Sequence, residues 1–233
     1  MTNSIEMKQT SFMGIDAMNE PHLPVLILLD TSGSMNGEPL DQLREGFNGF
    51  LTQTATDELA MKRVDVAVMT FSGLGIKTVC EFMPLASAIE MPPLELKAEG
   101  NTPLGAAIEA AVEKLRERCR VYDEAGVVKY KPWLFIITDA MATDDLTRAH
   151  KIIREREDLG RLKTIAVAVN NADLDVLKSI SPRIIKCEAE NSFKGIFNWL
   201  SDSMSTISSS RVFESPTLPN LPENFRVIPT DWA

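Results

Sequence analysis

Short aliphatic runs recur along the chain, and two of them end in an acid. Leu23-Pro24-Val25-Leu26-Ile27-Leu28-Leu29 runs into Asp30, and Trp133-Leu134-Phe135-Ile136-Ile137-Thr138 runs into Asp139. Val64 to Phe71, Leu162 to Val169 and Arg183 to Cys187 are of the same kind. Unbroken runs of this length predict strands buried on both faces, as in a parallel sheet. Between them the apolar period changes to that of a helix. Leu40, Leu43, Phe47, Phe50 and Leu51 predict an amphipathic helix over 39–56, with Pro39 tolerated in its first turn. Leu104, Ala107, Ile108, Ala111, Val112 and Leu115 form a regular stripe on a helix that opens at Gly100-Asn101-Thr102-Pro103 and runs to Arg120. Leu146 to Ile153, 173–181 and Phe193 to Ile207 predict three more. Lys77 to Met83 follows a turn bearing Gly73 and Gly75, which predicts a hairpin and one antiparallel edge strand. Residues 84–101 are expected to be loop.

Strand and helix alternate, so the fold class expected is α/β: a doubly wound, Rossmann-like, mostly parallel sheet with one antiparallel edge strand and helices on both faces. The domain spans 21–208. Residues 1–20 are polar with scattered methionines and are expected to be a loose arm. Residues 209–233 form a tail with Pro216, Pro219, Pro222 and Pro229. Its Phe213, Leu218, Leu221, Phe225, Val227, Ile228 and Trp232 are more apolar than a linker needs, so docking on the domain or on a partner is expected.

Charge narrows the functional classes. The chain of 233 residues carries 24 basic and 33 acidic residues, a formal net charge of -9. Nucleic acid and anionic membranes attract clustered Lys and Arg, so neither is the expected partner. Cys80, Cys119 and Cys187 are odd in number and lack metal-type spacing, which suits a reducing, cytoplasmic setting and core thiols. The first twenty residues hold no apolar run of the signal-peptide kind, and no stretch approaches ~18 apolar residues.

In open α/β sheets, ligands bind outside the carboxyl ends of the strands. Asp30, Ser32 and Ser34 stand there, at alternate positions of one loop. A carboxylate with hydroxyls is a hard, oxygen-only set suited to a magnesium-like cation. The loop of Thr102 and the strand end at Asp139 belong to the same edge. Taken alone, Asp30 with its serines is equally a turn and helix cap.

All three elements together resemble the von Willebrand factor A (VWA) family. Asp30-Thr31-Ser32-Gly33-Ser34 matches that family's D-x-S-x-S signature, Thr102 in Gly-Asn-Thr-Pro-Leu-Gly its second element, and Asp139 in Ile-Ile-Thr-Asp-Ala its third. The resemblance implies a metal-ion-dependent adhesion site (MIDAS) with Asp30, Ser32, Ser34, Thr102 and Asp139 as ligands. The cation would be Mg2+, or Mn2+ or Ca2+. Ala140 departs from the pattern, since many relatives carry Gly after that aspartate. More narrowly, Leu-Leu-Asp-Thr-Ser-Gly-Ser-Met-Asn-Gly-Glu-Pro and Thr-Asp-Ala-Met-Ala-Thr-Asp are similar to the bacterial tellurium-resistance proteins called TerY. That implies a cytoplasmic, non-enzymatic adaptor of a stress-response system. Its partner supplies an acidic residue to the metal, and a protein phosphatase and a protein kinase of the same operon are candidates.

Enzyme motifs are missing. There is no G-x-x-x-x-G-K-[ST], no G-x-G-x-x-G and no G-x-S-x-G. The alternative enzyme reading is a magnesium-dependent phosphatase-like hydrolase on the same sheet edge, but its D-x-D acid is replaced by Ser32. Asp144 and Asp145 are read as helix-start acids. His22 is read as strand-flanking and His150 as a helix-surface residue. Met35 and Met141 are either exposed partner contacts or loop residues tucked on the core. Trp133 and Trp199 are expected to pack in or near the core.

Overall fold

The computed structural model describes residues 20–187 and 193–232. Apart from Glu20, the expected arm lies outside the described residues. In order the chain forms β1 (Leu23–Asp30), α1 (Glu38–Thr54), α2 (Glu58–Arg63), β2 (Val64–Ser72), β3 (Gly75–Pro84), α3 (Leu85–Ala88) and α4 (Leu104–Ala125). It continues with β4 (Trp133–Thr138), α5 (Thr147–Asp158), β5 (Lys163–Ala168), α6 (Leu174–Ile180), β6 (Ile184–Cys187), α7 (Phe193–Ser209) and β7 (Phe225–Ile228).

One seven-stranded sheet has the order β3-β2-β1-β4-β5-β6-β7. The five inner strands are parallel. Both outermost strands are antiparallel to their neighbours. The α/β, mostly parallel architecture is as expected. One antiparallel edge strand was expected and there are two, because the tail supplies β7. Every residue of β1 is buried. Successive side chains point to opposite faces, so Val25, Ile27 and Leu29 join α1 and α7 through Leu43, Phe47 and Phe197. Leu26 and Leu28 join α4, α5 and α6 through Ile108, Ile153 and Leu177. Trp133 and Trp199 are both buried in the first of these clusters, as the sequence suggested.

The tail docks on the domain. Phe225 and Ile228 of β7 are buried, on opposite faces of the sheet, and Arg226 and Val227 between them are exposed. Trp199 Nε1 donates to the Pro219 carbonyl at 2.9 Å, and Trp232 Nε1 to that of Lys178 at 2.6 Å. Two short helices also escape the apolar pattern. Asp57 caps α2 by accepting from the amides of Leu59 and Ala60, both at 2.9 Å, and α3 is one turn inside the expected loop 84–101.

The amino-terminal edge of the sheet holds a buried polar knot. Oδ2 of Asp65 accepts from Arg118 at 2.9 Å and from the Tyr122 hydroxyl, and meets His22 Nδ1 at 3.1 Å. An ionised carboxylate only accepts, so His22 carries a proton on Nδ1. His22 flanks β1 as expected, but it is fully buried. Burial pushes the Cys80 and Cys119 thiols up to about 11; Cys80 is a core thiol as expected, whereas Cys119 is half-buried outside both core clusters. Among the described residues, no helix is long and apolar enough to cross a membrane.

Candidate metal centre

Three loops meet beyond the carboxyl ends of β1, β2 and β4, and main-chain hydrogen bonds stitch them together. Gly33 N–H donates to the Gly100 carbonyl at 2.9 Å, and Glu99 N–H to that of Thr31 at 3.0 Å. Thr143 N–H, four residues past Asp139, donates to the Thr102 carbonyl at 3.0 Å. The Gly73–Gly100 contact makes this stitching possible. A Cβ on Gly73 would stand 2.7 Å from Asn101 N and 2.8 Å from Gly100 Cα, both backbone atoms. Only glycine lets the two chains approach so closely.

Asp30 is fully buried at the end of β1. Its Oδ1 accepts Ser32 N–H at 2.8 Å and its Oδ2 accepts the Thr138 hydroxyl at 2.5 Å. Burial pushes its carboxyl up, the bonds from Thr138 and Ser32 pull it down, and the nearby charge of Asp139 raises it further. No basic side chain is among the groups acting on it. Ser32 is buried, Ser34 is exposed, and their hydroxyls lie 3.0 Å apart. Asp139 is 4% exposed and accepts Met141 N–H at 3.2 Å. Thr102 is also 4% exposed, and among the described residues its hydroxyl has no hydrogen-bond partner.

The structure therefore gathers all three sequence elements at one edge. Two carboxylates that form no salt bridge among the described residues, beside three hydroxyls, make a donor set that fits a hard divalent cation. Among the described residues, no group of three or more His, Cys, Asp or Glu could hold a metal ion. A cation here would depend on the hydroxyls as much as on the acids.

The structure gives the residues around the site their particular roles. Thr138, which orients Asp30, was not singled out by the sequence. Its signal is a lone hydroxyl in an aliphatic run, beside Asp30 in the parallel register. Asp145 starts its own helix, accepting Thr147 N–H at 3.0 Å. Asp144 instead caps α4, accepting from Gly105 and Ala106 amides at 3.0 and 2.9 Å. Met35 is fully buried, whereas Met141 is 56% exposed beside Asp139. Leu74, 45% exposed, stands in the β2–β3 turn on the opposite flank of the β1 loop. Ala140 adopts φ 57°, a left-handed conformation that explains why glycine is common there in the family it resembles.

The model of the von Willebrand factor type A domain matches residues 25–198. The chain belongs to the von Willebrand factor type A domain family. VWA domains are typically adhesion and protein–protein interaction modules. Among solved structures, the pilus adhesin SpaC from Lactobacillus rhamnosus GG superposes with a TM-score of 0.62 at 13% identity, covering 81% of this chain and 31% of that one. A von Willebrand factor type A protein from Catenulispora acidiphila gives 0.54 at 15% identity, covering 80% and 43%. The SpRpn10 VWA domain gives 0.52 at 11% identity, covering 77% and 95%. These likenesses concern the fold, and the chain spans under a third of the adhesin's length. No curated protein sequence matches this chain significantly.

Proposed function

We propose that this VWA protein is a non-enzymatic, metal-dependent protein–protein interaction module. Asp30, Ser32, Ser34, Thr102 and Asp139 would hold the cation, which is Mg2+ or, in its place, Mn2+ or Ca2+. One observation carries the reading: two buried acids at adjacent strand ends lack a basic partner among the described residues and stand among hydroxyls on a stitched edge. Bound there, a divalent cation supplies a local positive charge that attracts a partner's carboxylate to a net-acidic protein. Thr138 and the Ser32 amide hold the Asp30 carboxylate in place. Ser34 keeps its hydroxyl at the surface, and exposed Leu74 and Met141 offer apolar contact on either flank.

The setting proposed is the bacterial cytoplasm, in a tellurium-resistance or related stress-response system. A protein phosphatase and a protein kinase are the candidate partners. The support is the TerY-like character of the two motif stretches. The acidic net charge supports a protein partner over nucleic acid or membrane.

Isothermal titration with Mg2+ or Mn2+ tests the reading. Binding should be saturable in the wild type and abolished in Asp30→Ala. Unchanged binding in that variant overturns the assignment. Chelation should lower the melting temperature only by the linkage amount, because the aliphatic core does not depend on the cation. A confirmed partner should dissociate in chelator and from Asp139→Ala, and be weakened less by Thr102→Ala. Ca2+ should support it poorly, since it prefers more and longer oxygen contacts.

A further inference from the structure

At the amino-terminal edge of the sheet, opposite the candidate metal centre, three neighbouring strands each start beside a cation. Lys131 stands two residues before β4, Lys163 opens β5 and Arg183 immediately precedes β6. Adjacent strands are about 4.8 Å apart, so the three form a short row. The backbone holds the row together. Lys163 N–H donates to the Pro132 carbonyl at 2.8 Å, and Arg183 NH1 lies 3.4 Å from the Thr164 carbonyl. The Lys163 ammonium rests 4.5 Å from the centre of the Trp133 ring, and the residue is half-buried.

Among the described residues, one acid is engaged with this row. Glu157 is engaged by Arg183 NH1 at 2.9 and 3.1 Å, and also accepts the Thr164 amide. Three cations against one carboxylate leave two surplus positive charges in a protein whose net charge is -9. Among the described residues, neither the Lys131 nor the Lys163 ammonium has a hydrogen bond or ion pair. Among the described residues, every contact of the Arg183 guanidinium uses NH1, so its Nε–NH2 edge is open there. That edge is the fork that grips tetrahedral oxyanions bidentately. Burial, then the charges of Arg183 and Lys131, holds the Lys163 ammonium down to about 8.

We propose that this edge binds a phosphate-class dianion between Lys131, Lys163 and Arg183. A dianion matches the two surplus charges, whereas a carboxylate leaves one unbalanced. Two sources fit this chemistry: free phosphate, or a phosphoryl group on a peptide side chain. The site is independent of the metal centre at the other edge.

The test uses the full chain without divalent cations. Inorganic phosphate is titrated at constant ionic strength against chloride, reading tryptophan fluorescence and melting temperature. A saturable fluorescence change and a rise in melting temperature are expected in phosphate but not in chloride. Lys163→Met keeps a long side chain without the charge and should weaken the apparent affinity roughly tenfold. Lys131→Ala, at an exposed position that the fold does not need, should do the same. Asp30→Ala should titrate like the wild type. A phosphoserine peptide binding more tightly than phosphate assigns the site to a modified protein, and the reverse assigns it to the free ion. No saturable response, or both lysine variants titrating like the wild type, overturns the proposal.

Discussion

Thr138 of β4 donates its hydroxyl to Oδ2 of Asp30 at the end of β1, at 2.5 Å, across two strands that the parallel register sets side by side. With the Ser32 amide on Oδ1, this bond leaves the carboxylate little freedom to rotate. Thr138→Val keeps the shape and removes the donor. Burial of Asp30 is then less offset, so its carboxyl rises further and its orientation loosens. Mg2+ affinity should fall about 10- to 100-fold, as for other groups that orient a ligand. The same hydroxyl accepts the Ala140 amide at 2.8 Å, so the variant also leaves a buried donor unpaired and the melting temperature should fall by several degrees while the fold is retained. Titration calorimetry on the folded variant checks this, and unchanged affinity counts against Asp30 as a ligand.

A second prediction concerns pH. Burial alone would push the Asp65 carboxyl up, but His22, Arg118 and Tyr122 together outweigh it and hold it below the ordinary value of 3.8. A carboxyl depressed in the folded state adds stability above the unfolded-state value, and the contribution is lost as pH falls through the folded-state value. Unfolding free energy should therefore drop below about pH 4. Asp65→Asn should flatten that drop. At pH 7 it should cost about 3–5 kcal/mol, because Arg118 is left buried without its counter-ion. Urea unfolding of both proteins at pH 3 and pH 7 measures the two effects.

The buried strands and the helix stripe of α4 were legible because each carries many residues that agree on one period. The placing of Asp30 and Asp139 on one edge followed from strand ends and chain order, whereas Thr102, in a loop before a helix, was added by the family resemblance. What escaped depends on partners far apart in sequence. Thr138 and Asp30 are 108 residues apart, and Asp65 and Tyr122 are 57 apart. Asp144 starts a helix as expected, but one that begins 40 residues earlier, because a tertiary contact brings α4 to it. β7 is four residues long and set among prolines, too short for an alternation to stand out. An acid within the apolar run of β2, Asp65, was the one visible sign of the buried knot.

The tail gives a third prediction. β7 covers the β6 edge, and its Phe225 and Ile228 are buried in the two cores on opposite faces of the sheet. Truncation after residue 208 removes both side chains and bares the backbone of β6. Stability should fall by about 3 kcal/mol or more. The exposed edge should also promote self-association. In limited proteolysis, the intact chain should resist trimming to about residue 208. Rapid trimming with no loss of melting temperature would contradict docking.

The last prediction isolates position from chemistry. Gly73 contributes no ligand atom, and its N–H donates to the Glu99 carbonyl at 3.0 Å. A methyl group there must displace the backbone of Gly100 and Asn101, which no side-chain rotation can avoid. Thr102 lies two residues beyond Gly100, so the displacement moves its hydroxyl relative to Asp30 and Ser32. Gly73 lies past the end of β2, outside both clusters of the core, so the fold should survive. Gly73→Ala should thus lower Mg2+ affinity about 10- to 100-fold while cooperative unfolding is retained. Gly49→Ala is the control. It sits within α1 with nothing within 4 Å of the added Cβ. It should raise stability by roughly 0.5–1 kcal/mol through helix propensity and leave metal affinity unchanged. If Gly73→Ala bound Mg2+ as tightly as the wild type, the Thr102 loop would be outside the coordination set, and the cation would depend on the β1 and β4 ends alone.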